Sequence, residues 1–339
     1  MDINLGFEVH QPLRIDPRFE KKSKKGSSVE LFDYYFDNDW NREILERVAN
    51  KCYLPANKII LENIDRYSGG DKEFKVSYSI SGVLALQCQK WCPDVLDSFR
   101  KLADTGNVEF LDQTYYHSLA SLYSPEKQEF IDQVKRHREM MKDLIGYEPT
   151  VFENTEFIYN NSIAKTLDEM GYEAVFTEGA DRILGWRSPN HVYKAKGSEI
   201  KVFPRHYMLS DDIAFRFSNR DWSGWPLTAD KYADWLSQVP GDCLNIFIDY
   251  ETFGEHQWPE TGIYDFLRWL PGEIFNHENM KFSTPSELAK WDPVGEYDVH
   301  DYDTLSWADE ARSVSAWMSN SMQEDCYRRI KDLESKVKR

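Results

Sequence analysis

Short apolar runs alternate along this chain with stretches of helical spacing, and most of the runs stop at an acid, a histidine or a glutamine. INLGFEV at 3–9 predicts a first strand; Pro12 cannot continue a central strand, so His10 and Gln11 stand at its rim. Residues 41–66 are helical in spacing, with an interruption near Pro55, and the Ser68, Gly69, Gly70 turn leads to a strand, FKVSYSI, at 74–80. One helix then runs to about Lys90, and a second runs from Pro93 to Gly106. Strand NVEFLDQ leads into TYYHSLASL, so His117 also follows a strand end. Ser124 as N-cap and Pro125 at the first helical position open a helix carrying Phe130, Val134, Met141 and Leu144 on one face up to Gly146. A strand at 150–152 enters FENTEFIYNN, helix SIAKTLDEM stops at Gly171, and EAVFTEG is again a strand. Further strands are predicted at 200–203, 244–248 and 281–283. Strand, polar rim, helix and glycine repeated in this way form the βα unit of an α/β fold, and about seven or eight strands fall in the range of a barrel. Residues 13–40 and 205–235 read as long loops over the surface and rim. A boundary is placed near 295, with residues 306–339 helical and Trp307, Val314, Trp317 and Ile330 facing a core.

Two of the strand ends carry concentrated acid. Leu244, Ile246, Phe247 and Ile248 form a buried-strand run that ends in Asp249, followed by Glu251, Glu255, His256 and Trp258. An isolated aspartate after a strand is ordinarily a cap. This density, with a second acidic cluster at Glu153 and Glu156 about one hundred residues upstream, points instead to carboxyls that meet across the fold. Burial at a strand end is also where a carboxyl pKa is most readily shifted.

Composition narrows the class. The 339 residues suit one barrel-sized domain with an appendage, and 41% apolar with 14% aromatic residues gives a globular chain with a sizeable core. Eleven Trp and 19 Tyr exceed ordinary packing needs and suit flat faces that stack on sugar rings. A formal charge of −17 argues against nucleic acid or an anionic membrane as partner and is indifferent to a neutral substrate; a homo-oligomer is compatible with it. The five Cys show no paired spacing and read as reduced, mostly buried thiols of a cytoplasmic protein, and no stretch reaches membrane-spanning length. No cofactor is called for.

Five rim segments in this order resemble the signature regions of glycoside hydrolase family 57, whose members act on α-glucans: HQP at 10–12, VEFLDQTYYHSL ending near His117, FENTEFIYN at 152–160, FIDYETFGEH at 247–256 and STPSEL at 283–288. The resemblance spans nearly the whole chain, and SWADEARSVSAWMSN looks like the start of that family's helical segment. It implies a distorted (β/α)7 barrel over 1–295 followed by a short C-terminal α-helical segment, 296–339. It also implies a retaining mechanism, with Glu156 as nucleophile and Asp249 as general acid/base, acting on an α-glucan or maltooligosaccharide. Glu153 competes with Glu156 for the first role; NTE followed by an aromatic favours Glu156. Substrate contacts are then expected from His10, Gln11, His117, Glu251, His256 and Trp258, with Trp186, Trp222 and Trp225 as further stacking candidates.

The chemistry agrees, because glycoside cleavage needs one ionised and one protonated carboxyl flanking the bond. Asp249 would be kept protonated by Glu251, Glu156 and its apolar strand. Three alternatives stay open: a 4-α-glucanotransferase or branching enzyme using the same pair, a metal-dependent polysaccharide deacetylase, and a non-catalytic carbohydrate-binding protein. The eight His contain no pair three or four residues apart, the spacing a metal site on one helix would use.

Overall fold

The computed structural model describes residues 1–19, 28–123 and 127–337. Ten strands occur among them: β1 Asp2–Val9, β2 Val76–Ile80, β3 Val108–Leu111, β4 Val151–Phe152, β5 Ala174–Glu178, β6 Tyr193–Ala195, β7 Lys201–Arg205, β8 Cys243–Asp249, β9 Lys281–Phe282 and β10 Glu296–Tyr297. Parallel pairings run β8–β1–β2–β3 and β4–β5–β7–β8. A parallel bridge between Asp112 and Phe152 joins β3 to β4, so seven parallel strands close into a ring. This is the distorted (β/α)7 barrel that the sequence led us to expect. The distortion lies at its two thin seams, that single bridge and the single pair Arg205–Asn245 between β7 and β8. β6 runs antiparallel along β7, β10 extends β6, and β9 pairs with the start of β1.

Alternation along the strands sorts the two faces. Ile3, Leu5, Phe7 and Val9 of β1 pack outward with Leu244, Ile246 and Ile248 of β8 into one apolar cluster, which takes in the helices Asn38–Val48, Leu54–Arg66, Pro93–Ala103 and Ile263–Phe275. A second cluster covers β4, β5 and β7 with helix Asn161–Glu169. The opposite face of β1 carries Asp2, Asn4, Gly6 and Glu8, and that of β8 carries Asn245, Phe247 and Asp249, with Glu8 and Asp249 in register. Phe247 fills the lumen with Phe157, Phe176 and Phe203, and Gly6 is what admits it: a Cβ there would stand 2.3 Å from Phe247 Cδ2. The lumen is thus apolar where Phe157, Phe176, Phe203 and Phe247 meet and polar along β1.

Three sequence expectations are corrected. Residues 205–235 are not simply loops: helices Tyr207–Asp211 and Ala229–Gln238 lie there, the second burying Ala229, Tyr232, Ala233 and Leu236 at helical spacing that the surrounding Asp, Arg and Trp obscured. Residues 306–320 are not helical, because Asp309 takes the Ser313 backbone N–H and the Ser315 hydroxyl, a local alternative to helix bonds; the helix is Ser321–Val337 and Ile330 is exposed. Within 13–40, helix Ser28–Tyr35 replaces part of the expected loop. The helix start assigned to Ser124 and Pro125 lies outside the described residues, and the helix itself is Gln128–Leu144. All five cysteines are free, and only Cys326 is exposed. Among the described residues no helix is long and apolar enough to cross a membrane.

Candidate active site

All seven barrel strands end at one mouth, the end at which barrel folds place their chemistry. Glu8, His10, Ser81, Gln113, Glu153, Glu178, Arg205 and Asp249 lie on the last residues of these strands or just beyond them. Two loops that follow strands are tied together there. Thr114 and Thr155 share a hydroxyl hydrogen bond of 2.6 Å, which draws the His117 loop against the Glu156 loop.

Among the described residues only His117, Glu156, Phe157 and Arg312 are non-glycine residues with positive φ, at 50°, 58°, 54° and 54°. The first three adjoin one another, and backbone of this kind persists only where its surroundings over-determine it. At Glu156 the surroundings are Ser306 Oγ and the Trp307 N–H, which donate to its carbonyl at 2.9 and 3.1 Å. The Trp307 indole Nε1–H donates to Glu156 Oε2 at 3.0 Å, and the same ring stacks on Phe157 at 4.4 Å. Residues beyond the expected boundary near 295 therefore reach the mouth.

His117 Nε2 lies 3.0 Å from Glu8 Oε1 and 3.7 Å from Glu156 Oε1, and the imidazole stacks on that of His10 at 3.9 Å. Burial works against a charge on His117, but Glu8 and Glu156 together outweigh it and push its pKa up to about 10. His10 goes the other way: burial, then the His117 and Arg14 charges, hold it well below the usual histidine range, and its Nδ1 pairs with Ser81 Oγ at 2.7 Å. Burial raises Glu8 to about 7.

Asp249 ends β8 with no hydrogen bond to its carboxylate among the described residues. Burial raises its pKa, His256 opposes this, and Glu156 adds to it. Glu251 is raised to about 8 by burial and by Asp249; its Oε1 takes the Tyr53 hydroxyl and the His10 N–H. The carboxyl that raises Asp249 is therefore Glu156, behind desolvation, and Glu251 is itself among the raised groups.

The other sequence candidates divide. Gln11 is buried, with its amide oxygen on Arg14 Nη2 at 3.1 Å. His256 is exposed beside the Asp249 turn, and Trp258, 62% exposed, lies over Lys51. Trp186 is 95% exposed, while Trp222 packs edge-on against Trp235 and the exposed Trp225 lies over Arg220. Glu153 is fully buried, both its oxygens lack a partner, and burial with Glu8 raises it well above the carboxylate range. Among the described residues no three His, Cys, Asp or Glu are grouped to hold a metal ion.

Sequence reasoning missed Glu8, Tyr53, Arg205 and the role of Trp307. Glu8 was absorbed into an apolar strand, although the alternation Asp2, Asn4, Gly6, Glu8 marked an inward polar face. Arg205 is buried between Glu178 (3.1 Å) and Asp211 (2.7 Å), donates to the Phe247 carbonyl at 2.7 Å and lies over the Trp307 ring. It supports both the Glu156 and Asp249 sides of the mouth. Trp307 was read as a core residue, and nothing local signals its indole bond.

Fold and site together define a parallel βα barrel with several desolvated carboxyls gathered around a buried histidine at the strand ends. The chain belongs to glycosyl hydrolase family 57, whose sequence profile matches residues 4–303. It is 48% identical over 339 residues to a Methanocaldococcus jannaschii protein named "Putative alpha-amylase", covering all of this chain and 70% of that one. A Pyrococcus furiosus alpha-amylase is 27% identical over 266 residues, 74% of this chain and 37% of its own length. The crystal structure of the Thermococcus litoralis 4-alpha-glucanotransferase superposes with a TM-score of 0.68 at 22% identity, over 99% of this chain and 46% of that one, a likeness of fold.

Proposed function

We propose that this chain cleaves α-1,4 bonds of α-glucans or maltooligosaccharides with retention of configuration, in the manner of an α-amylase. Glu156 is the nucleophile and Asp249 the general acid/base. The observation that carries this reading is the unequal surroundings of the two carboxyls. Glu156 faces the His117 cation and takes the Trp307 indole N–H. Asp249 is desolvated and holds no donor, and burial raises its pKa, the direction an acid needs. Glu156 attacks the anomeric carbon while Asp249 protonates the departing oxygen; Asp249 then takes a proton from water as it displaces the glycosyl ester. Residues 1–295 form the barrel unit, and 296–339 complete its mouth through Trp307.

The test is to incubate wild type, Glu156→Gln and Asp249→Asn with amylose and maltooligosaccharides while following reducing ends and product lengths together. Wild type should release new reducing ends, and each variant should lose roughly a thousandfold or more in kcat. Longer oligosaccharides without new reducing ends would assign the second step to a sugar acceptor, the glucanotransferase reading. An inactive wild type would sink both.

A further inference from the structure

We propose that Glu8 is a positioning residue for this reaction: through His117 it maintains a cation against Glu156 Oε1. The inference rests on the function proposed above and extends it to a residue that never meets substrate. Glu8 is 3% exposed and stands behind the imidazole, so it cannot serve a sugar hydroxyl directly.

The proton count on His117 follows from its partners. Nδ1 faces Gln113 Oε1 at 3.1 Å, and Gln113 spends its amide nitrogen on Ser79 Oγ at 2.7 Å, so Nδ1 meets an acceptor and carries a hydrogen. Nε2 faces two carboxylate oxygens, Glu8 Oε1 at 3.0 Å and Glu156 Oε1 at 3.7 Å, and also carries one. Both nitrogens are donors, which makes the ring an imidazolium. A buried imidazolium needs a fixed counter-charge. Glu156 cannot be that charge throughout the reaction, because its carboxylate is consumed when the glycosyl ester forms. Glu8 remains.

The other groups facing this pair do not replace Glu8. His10 stacks on His117 and is kept neutral. Glu153, from the β4 end, is buried with both oxygens unpartnered, and burial raises it well above the carboxylate range. Asp249 at the end of β8 is needed as an acid. Arg205 on β7 is committed to Glu178 and Asp211, and Arg14 lies on the His10 side. Glu8 Oε2 has no partner of its own, so His117 is the one cation its carboxylate contacts among the described residues.

Two measurements on full-length Glu8→Gln test this. Imidazole ¹⁵N shifts should show His117 charged to beyond about pH 8 in wild type and neutral by about pH 6.5 in the variant. The acid limb of kcat/KM, set in wild type by the ionisation of Glu8 at about pH 7, should be lost from that position in the variant, with kcat falling more than KM changes. Glu8→Asp, which keeps the charge, should restore the limb. If Glu8→Gln does not fold, His117→Gln removes the cation directly and should move the limb in the same way. Lowered activity with an unmoved limb, or a His117 titration that ignores residue 8, overturns the proposal. Failure of the function reading shows separately, as an inactive wild type or a fully active Glu156→Gln, and the positioning claim then falls with it, whatever the titration gives.

Discussion

Asp249 and Glu156 are both carboxyls at one mouth, yet their neighbours differ: Glu156 lies beside His117 and takes the Trp307 indole N–H, while Asp249 is desolvated and accepts no hydrogen bond among the described residues. An acid raised by burial keeps its proton to higher pH than a free aspartate, so Asp249 should set the alkaline limb of kcat/KM above the ordinary range. Asp249→Asn should abolish that limb and reduce kcat on maltooligosaccharides by about a thousandfold. The loss should be far smaller with an aryl glycoside whose leaving group needs no protonation, a comparison that separates the loss of an acid from a collapse of the site. Asp249 was legible because Glu251, Glu255 and His256 crowd the same strand end and Glu153 and Glu156 form a second acidic cluster, a density that a simple cap does not explain. Glu8 was passed over although Asp2, Asn4, Gly6 and Glu8 alternate with Ile3, Leu5, Phe7 and Val9; the register with Asp249 then shows that its carboxyl shares the inner face. His256 and Trp258 follow the same strand end and are solvent-accessible, His256 close enough for its charge to act on Asp249.

At the scale of elements, the site depends on loops that the period of the sequence does not describe. The 154–157 turn holds two successive residues at positive φ, and its lock comes from Ser306 and Trp307, some 150 residues away. Trp307→Phe keeps the stack on Phe157 and removes the indole donor. It should lower kcat roughly tenfold, the value of one hydrogen bond to a charged group, while the melting temperature changes little. The turn after β8 is held differently: Gly254 has φ 115°, and a Cβ there would stand 1.8 Å from the Lys51 carbonyl oxygen. Gly254→Ala should therefore cost about 2–4 kcal/mol in urea unfolding and displace Asp249 with it. Strands and most helices were readable from apolar spacing and glycine stops. The 205–235 helices and the 306–320 turns were not, since in the first charged side chains mask a short buried stripe and in the second Asp309 and its serines outcompete the helix.

Across the whole molecule, a ring of seven strands leaves polar side chains inside on the β1 to β3 side, and some of them are far from the mouth. Glu109 is buried near the opposite end, held by the Ser286 N–H at 2.9 Å, and burial raises its pKa to about 7. A carboxyl whose folded pKa exceeds its unfolded value of 4.5 binds more protons when folded, so its contribution falls as pH rises from about 4.5 to about 7. Wild type should lose about 3 kcal/mol more over that window than Glu109→Gln, measured by urea unfolding at each pH; equal pH dependence would place the shift elsewhere. The proposal central to this molecule is that Glu156 carries the sugar. Its most direct test is to trap the intermediate with a 5-fluoro-α-glucosyl fluoride and locate it by peptide mass spectrometry. A single glycosyl adduct on Glu156, absent in Glu156→Gln, is the predicted result; an adduct on Glu153, or turnover with no ester on any carboxyl, would contradict the account.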